Sequence, residues 1–465
     1  MVKKRSVYLG PRLRRLRREL GLTQAEMAAD LEVSASYVTL LERNQRPTTA
    51  DLLMRLAQVY RIDIAELSDA DSDSHRTQLE GALKDPLFEG IDIPPLELED
   101  LAASYPGISE AMLRLYSSYS KGQLALADAA AREDGGGGPD PVFAVREFLA
   151  AARNHFPALE NAATALAERT GGREGFAAYL QSRHGVRVRR LPADVLVGSL
   201  RRFDRHRQQL MLADNMDGAT QAFQTALQIV YLELQDDITR LLGNHFQGGT
   251  AERLARRALA NYAAAALLMP YEPFRQEVER RRYDVEALAR LFSTSFEQTA
   301  HRLTTLQRPG EEGVAFFFIR VDPAGNVSKR LDGAGFPFAR HGGACPLWNL
   351  HTSFQRPREV MTQWLELPDG KRFFSIARTV TSGGAGHHVP RVERAVALGC
   401  AEDQAKRLIY ADDDPQGAAR ATPIGVACRL CQRVDCPARS APPIGREVLT
   451  DEYRRMVTPI SVGDR

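Results

Sequence analysis

The stretch GLTQAEMAADLEVSASYVTLLERNQRP, from Gly21 to Pro47, leaves few folds open to the part of the chain around it. Thr23, followed three residues on by Glu26, predicts a helix start with a capping box, in which side chain and backbone satisfy each other's orphan amides. Met27, Ala28 and Leu31 give that helix one apolar face. Glu32 and Val33 make a turn, and Ser34 caps a second helix. In that helix Val38 and Leu41 point inward, leaving Ala35, Ser36, Tyr37, Thr39 and Glu42 facing out. The second helix has the form of a recognition helix: the major groove of B-DNA admits a helix whose N-terminal residues reach base edges, while the preceding helix crosses the backbone. Gln24 is expected where a side-chain amide and helix N-terminal amides bond a phosphate.

The charge around this stretch agrees. Lys3, Lys4, Arg5, Arg12, Arg14, Arg15, Arg17 and Arg18 precede it against Glu19 alone, and Arg43 and Arg46 follow. The whole chain carries a formal net charge of only +2, so the basic character is local, as in a DNA module joined to an ordinary globular body. The segment from Leu9 to Leu67, with LTQAEMA, SASYVTLLERNQRP and LAQVYRID in order, resembles the five-helix DNA-binding domain of phage repressors and the XRE family. That resemblance implies double-stranded operator DNA as partner, Ala35, Ser36, Tyr37 and Thr39 as base readers, Ser34 at their helix cap, and Arg43 and Asn44 near the backbone.

At 465 residues the chain is too long for one core and is expected to form roughly two to four domains. No apolar run of about 18 residues and no apolar N-terminal segment occur, which predicts a cytoplasmic protein away from membranes. Residues 1–70 make the DNA module. From Ser68 the sequence DADSDSHRTQLE predicts a hinge, and amphipathic helices follow, roughly Glu97 to Ala103 and Ile108 to Arg132. Residues 71–130 thus form a helical connector, suited either to dimerisation or to packing on its own domain; operator symmetry favours a homodimer or homotetramer. AREDGGGGPDP, residues 131–141, predicts a flexible linker.

Residues 142–309 are expected to be mainly helical, with two or three strands in HGVRVRRL and VGSLRRFDRHRQQLMLAD. LANYAAAALLMPYEPF and YDVEALARLFSTSFEQTAHRL resemble the segment after the zinc helix of ImmA and IrrE metallopeptidase-like proteins. Active members carry a histidine-glutamate-x-x-histidine helix upstream, two zinc ligands and a general base. Here QAFQTALQIVY puts Leu227, Gln228 and Tyr231 at those positions, and Arg257 where the downstream acidic ligand belongs. None of these binds Zn²⁺ or activates its water, so the expectation is a peptidase-like fold with no catalytic residues. An enzyme of the ImmA type is disfavoured for that reason.

In residues 310–465, GVAFFFIRVDPAGNVSKRL and EVMTQWLELPDGKRFFSIARTV predict two hairpins. With VERAVALGC and REVLTDEYRRM as short helices, the unit is expected to be an antiparallel sheet with helices on one side, and the whole chain a multidomain α+β protein. VACRLCQRVDCPAR places Cys428, Cys431 and Cys436 at C-x2-C-x4-C. This suits a zinc ion or an iron-sulfur cluster of the 4Fe-4S kind, with a fourth ligand from Cys400 or Cys345. Cys400 is favoured because Gly399 lets the backbone approach and because Cys345 is farther away in sequence.

The motifs GFPFARHGGACPLWNLH, FFSIARTV, ALGC, RLIYAD and TPIGVACRLCQRVDCPARSAPP resemble the C-terminal sensor of the short-chain fatty-acyl regulators, bacterial transcription factors with an XRE-type module and a peptidase-like middle. The resemblance covers nearly the whole chain. It implies control of acetate, propionate, methylcitrate or glyoxylate pathway genes through a short-chain acyl-coenzyme A effector. Such a ligand needs cations for phosphates and an apolar slot; the candidates are Arg320, Lys329, Arg330, Arg340 and His341, near Phe336, Phe338 and Trp348, with ordinary strand-surface charges beside core aromatics as the other reading of the same residues. The alternative is a regulator whose cysteine-held metal itself senses redox state or iron.

Overall fold

The computed structural model describes the chain apart from residues 1–9, 44, 47, 61–69, 84, 89, 134–139, 247, 339–343, 384–390, 415–416, 451–452, 455 and 463–465. It divides into two compact units. One comprises Met1–Ala127, Pro368–Lys371 and Gln432–Arg465; the other comprises Asp128–Leu367 and Arg372–Cys431. Residues 142–309 and most of 310–465, expected as separate domains, therefore share one unit.

In the first unit α1 (Gly10–Glu19), α2 (Gln24–Asp30), α3 (Ala35–Glu42) and α4 (Ala50–Tyr60) enclose Leu13, Met27, Ala28, Leu31, Val38, Leu41, Leu52 and Leu56. The fifth helix implied by the repressor resemblance falls on residues outside those described. The polar stretch read as a hinge is helical instead, as α5 (Ala70–Ala82), because Leu79 and Ala82, one turn apart, are both buried. Then come α6 (Pro95–Ser104) and α7 (Pro106–Glu133). The helix α7 takes in the first residues of the expected linker; its glycines lie outside the described residues. Asp140 is the N-cap of α8 (Pro141–Ala151), accepting from the Val142 amide at 2.9 Å.

The second unit continues with α9 (Pro157–Thr170), α10 (Phe176–His184) and a small sheet of β1 (Arg187–Leu191), β2 (Arg201–Asp204) and β3 (Gln209–Ala213). Its order is β1-β3-β2, with β1 parallel and β2 antiparallel to β3. Next are α11 (Gly218–Glu233), α12 (Gln235–Leu242), α13 (Gly249–Leu268), α14 (Tyr271–Arg280), α15 (Val285–Leu291) and α16 (Phe296–Leu303).

The larger sheet contains β4 (Phe317–Val321), β5 (Val327–Leu331), β6 (Met361–Glu366), β7 (Arg372–Gly383), β8 (Arg391–Ala401) and β9 (Thr422–Pro423) in the order β5-β4-β8-β7-β6-β9. All neighbours are antiparallel except β6 and β9. VERAVALGC, expected as a helix, is the central strand β8. Every residue from Ala395 to Cys400 is buried, because both faces of the sheet are covered, and a strand buried on both faces loses the alternation that would reveal it. Gly399 is required there, since a Cβ on it would lie 2.0 Å from the Phe317 ring. The described residues of REVLTDEYRRM form no helix either; Val448 bridges to Val462.

One face of this sheet, with Phe318, Phe374, Ile376, Val396 and Leu398, packs on Phe274, Val278, Leu288 and Leu303 of α14–α16. Those helices were expected to belong to the middle domain, and this shared core is why the border at residue 309 disappears. The other face, with Phe317, Ile319, Phe373, Ala395 and Ala397, packs on Phe336, Trp348, Leu350 and Ile424.

A buried ion pair ties these layers together. Arg302 of α16 and Glu160 of α9, 0% and 1% exposed, meet through two bonds of 2.6 and 2.8 Å. Tyr262 of α13 donates to the same carboxylate at 2.5 Å, and Arg302 Nε donates to the Met269 carbonyl at 3.0 Å. Removing one member leaves a buried charge unpaired, whereas replacing both by apolar groups does not. In chemical denaturation Arg302→Met should therefore cost about 3–5 kcal/mol, and Glu160→Leu with Arg302→Met far less than the sum of the two single changes.

Candidate nucleic-acid interface and ligand recess

The local signals that start α2 and α3 are realised as bonds. Thr23 Oγ1 accepts from the Glu26 amide at 3.2 Å while the Thr23 amide donates to Glu26 Oε2 at 2.7 Å. Ser34 Oγ accepts from the Tyr37 amide at 3.1 Å. Ala35 and Ser36 are exposed, and Tyr37 and Thr39 half-buried, on the first turns of α3. Arg43, the C-cap of α3, is exposed, and Asn44 lies outside the described residues.

Glu42 is the exception. Expected to face out, it is 3% exposed and points into the junction of α1, α2 and α3. Arg17 donates to its two oxygens at 2.6 and 3.2 Å, Gln24 Nε2 donates to Oε2 at 2.7 Å, and Arg14 Nη2 donates to the Glu42 carbonyl at 2.9 Å. Burial acts to raise the Glu42 pKa, but the bonds from Arg17 and Gln24 and the charges of Arg17 and Arg14 outweigh it and hold the carboxyl below its ordinary value. Gln24 is accordingly occupied at both ends, since its Oε1 accepts from Thr39 Oγ1 at 3.1 Å. Its side chain thereby braces α3 from the start of α2, the place expected for it. Arginine in α1 and glutamate closing α3 were the sequence signals for this network, but only the fold brings them together.

The described effector candidates, Arg320, Lys329, Arg330 and Trp348, do not form one group. Arg320 and Lys329 are partners across β4 and β5, while Ile319 pairs with Arg330 on the opposite face. Arg320 is bound to Glu297 of α16 at 2.6 Å on the helix-facing side. On the other side Arg330 and Trp348 line a recess with Ile319, Val327, Phe336, Phe338, Ala344, Cys345, Gly425 and Val426, about 340 Å³ of space including its open mouth. The Arg330 guanidinium lies 5.8 Å from the Phe338 ring centre, and Trp348 Nε1 donates to Ser375 Oγ at 3.0 Å. Arg340 and His341 lie outside the described residues.

The cysteines depart furthest from expectation. Cys400 packs in the helix-facing core with Phe374 and Leu398, and burial, with Asp403 adding, pushes its thiol up to about 12, so it is no thiolate at neutral pH. Cys345 sits on the opposite face, in the recess with Gly425 and Val426, and Cys431 packs against Gly425. The choice of Cys400 over Cys345 is thus corrected by the side of the sheet each occupies. Among the described residues no three Cys, His, Asp or Glu side chains gather closely enough to hold a metal ion.

Of the residues expected at the peptidase ligand positions, Leu227 and Gln228 are buried and Tyr231 half-buried on α11. Arg201 Nη1 donates to Gln228 Oε1 at 2.7 Å, and its guanidinium lies 5.2 Å from the Tyr231 ring centre. Nothing in the sequence pointed to Arg201, which enters from β2.

Comparison with known proteins assigns each part separately. Residues 13–67 match the helix-turn-helix family, 181–304 the IrrE N-terminal-like domain, and 305–460 the C-terminal domain of the short-chain fatty acyl coenzyme A regulators. The chain is 37% identical to the propionyl-CoA carboxylase regulator of Cereibacter sphaeroides, over 98% of this chain and 99% of that one. It is 36% identical to the HTH-type transcriptional regulator RamB of Mycobacterium tuberculosis, over 98% of each. A solved Mycobacterium tuberculosis transcriptional regulator superposes with a TM-score of 0.65 at 35% identity, covering 70% of this chain and all of that one.

The Glu42 network carries a signed pH dependence. A carboxyl held below its unfolded value, about 4.3 for glutamate, contributes its full stability above that value and loses it as pH falls through the folded one. Glu42→Gln should therefore weaken hydrogen-exchange protection of α3 in the full chain at pH 7, by about 2 kcal/mol, and the gap to the parent should close below about pH 4. An equal gap at both pH values would contradict the network.

Proposed function

The chain belongs to the short-chain fatty acyl coenzyme A regulators, and from that premise we propose that its recess between β4, β5 and Trp348 receives the acyl end of the effector. As a member of the family the chain is a sequence-specific DNA-binding transcriptional regulator of short-chain fatty acid metabolism that responds to an acyl-CoA. The observation that carries the proposal is that Arg330, Phe336, Phe338 and Trp348 line one recess. Phe336, Phe338, Ile319 and Val327 supply an apolar wall for two or three methylene groups, worth about 0.8 kcal/mol for each one buried. Arg330 supplies hydrogen-bond donors for a thioester or phosphate oxygen.

On the DNA side the exposed Ala35 and Ser36, with Tyr37 and Thr39 beside them, act as base readers, and Arg43 serves the backbone, in a homodimer or homotetramer on a symmetric operator. No helix among the described residues is long and apolar enough to cross a membrane. The middle segment works without peptidase chemistry: with Leu227, Gln228, Tyr231 and Arg257 at the ligand positions, Leu227→His alone should restore neither zinc binding nor proteolysis. A second reading, redox or iron sensing through thiols, is favoured by the C-x2-C-x4-C spacing and by Cys345 lying on the same face as Gly425 and Val426.

Operator binding titrated with acetyl-, propionyl- and butyryl-CoA tests the proposal. At least one should change DNA affinity, and Phe338→Ala and Arg330→Gln should each weaken that response about tenfold while leaving effector-free DNA binding intact. If no short acyl-CoA changes operator affinity, but oxidation does, the second reading takes its place. Changing Ser36 and Tyr37 together should lower operator binding by about 1–3 kcal/mol and leave binding to random duplex nearly unchanged.

A further inference from the structure

The first compact unit holds a piece of the sensor segment, Pro368–Lys371, the turn that joins β6 to β7. This turn is seated on α5. A Cβ on Gly81, in the last turn of that helix, would lie 3.1 Å from the Pro368 carbonyl oxygen and 3.2 Å from the Asp369 Cα. From the other side, a Cβ on Gly370 would lie 3.1 Å from the Thr77 methyl. Thr77 and Gly81 stand four residues apart on one face of α5, so a glycine on each partner lets helix and turn approach closely. Gly370 has a φ of +78°, which the turn itself requires, whereas Gly81 is not left-handed and its backbone has no need of glycine. Glycine is a poor residue for a helix, and what its missing Cβ provides here is room for the turn. Asp369 keeps the turn in shape, accepting from the Lys371 amide at 3.2 Å and pairing with its ammonium at 3.3 Å.

Each side of this contact leads to one of the two functions. Toward the sensor, Leu365 of β6 pairs with Phe373 of β7 close to the turn, and both belong to the core that holds Phe336 and Trp348. The ring centres of Phe373 and Phe336 are 5.2 Å apart, and Phe336 and Trp348 line the recess. Toward DNA, α5 packs on α6 and α6 on α1, and α1 carries Arg14 and Arg17, whose bonds to Glu42 fix α3. We propose that the β6–β7 turn is the joint that passes acyl-CoA occupancy of the sensor to the recognition helix. Its seat on Gly81 is one of two positions, and effector and operator each favour one of them. A ligand shifts such an equilibrium only as far as it binds the two positions differently, and the coupling between the two ligands is reciprocal. The proposal rests on the acyl-CoA response given above, and the experiment separates the failure of one from the failure of the other.

Operator affinity of the full chain, by fluorescence anisotropy with and without propionyl-CoA, and propionyl-CoA binding without DNA, by calorimetry, test the joint in Gly81→Ala, Gly81→Leu and Gly122→Leu. The last adds the same side chain to α7, where a Cβ meets nothing within 4 Å. In the parent and in Gly122→Leu, propionyl-CoA should change operator affinity by about fivefold or more. In Gly81→Leu the two operator affinities should agree to within about twofold, near one of the parent's two values, while propionyl-CoA still binds as in the parent. Gly81→Ala, which favours the helix and so keeps the fold, should lose part of the response. A folded Gly81→Leu protein that keeps the parent response overturns the joint; should that variant not fold, an undiminished response in Gly81→Ala does so. Loss of propionyl-CoA binding in either variant also overturns it, since Gly81 would then serve the ligand and not the coupling. If the parent itself ignores propionyl-CoA, the effector reading fails, and the joint is decided by operator affinity alone: Gly81→Leu must still shift it by about fivefold relative to Gly122→Leu, and equal affinities overturn it.

Discussion

The second unit depends on a charge pair that has no access to water. Glu160 and Arg302 come from α9 and α16, Tyr262 from α13 closes the remaining side of the carboxylate, and Arg302 holds the Met269 carbonyl where α13 ends. An ion pair at such depth adds little net stability, because desolvation offsets most of the attraction. What it imposes is register: each partner has one place where its charge is met, so α9, α13 and α16 have one way to pack. The larger sheet is then built on α14–α16, which the pair has already positioned.

That dependence explains why a peptidase-like segment and a sensor segment do not come apart. Phe318, Phe374, Val396 and Leu398 find their apolar cover on helices encoded before residue 309. A sheet with one uncovered face would expose a large apolar patch, so neither segment is complete alone. The arrangement also divides chemistry between two sides of one sheet: the recess with Arg330 and Trp348 on one, Lys329 and Arg320 on the other.

Much of the DNA module was legible because its signals are local. Thr23 with Glu26 and Ser34 with Tyr37 lie within one helical turn, and the bonds they form are those the spacing implies. Long-range facts were not legible. VERAVALGC has a composition that suits a helix as well as a buried strand, and only pairing with β4 and β7, distant in sequence, decides for the strand. Cys400 looked like a ligand by its distance along the chain, which says nothing of the face of a strand on which a side chain stands. Glu42 looked like a surface residue because its partners Arg17 and Gln24 belong to other helices. Arg201 carried no motif; its role became visible only when β2 was placed beside α11.

The Glu42 network has a kinetic meaning. One carboxylate joins α1, α2 and α3 through Arg17 and Gln24, and Gln24 in turn holds Thr39. The face presented to the groove is therefore assembled before DNA arrives, and little ordering entropy is left to be lost on contact. A rigid face beside a basic arm can form complexes at a rate set by electrostatically guided diffusion, falling as salt screens the attraction. Discrimination between sequences then resides in how quickly the wrong ones are released.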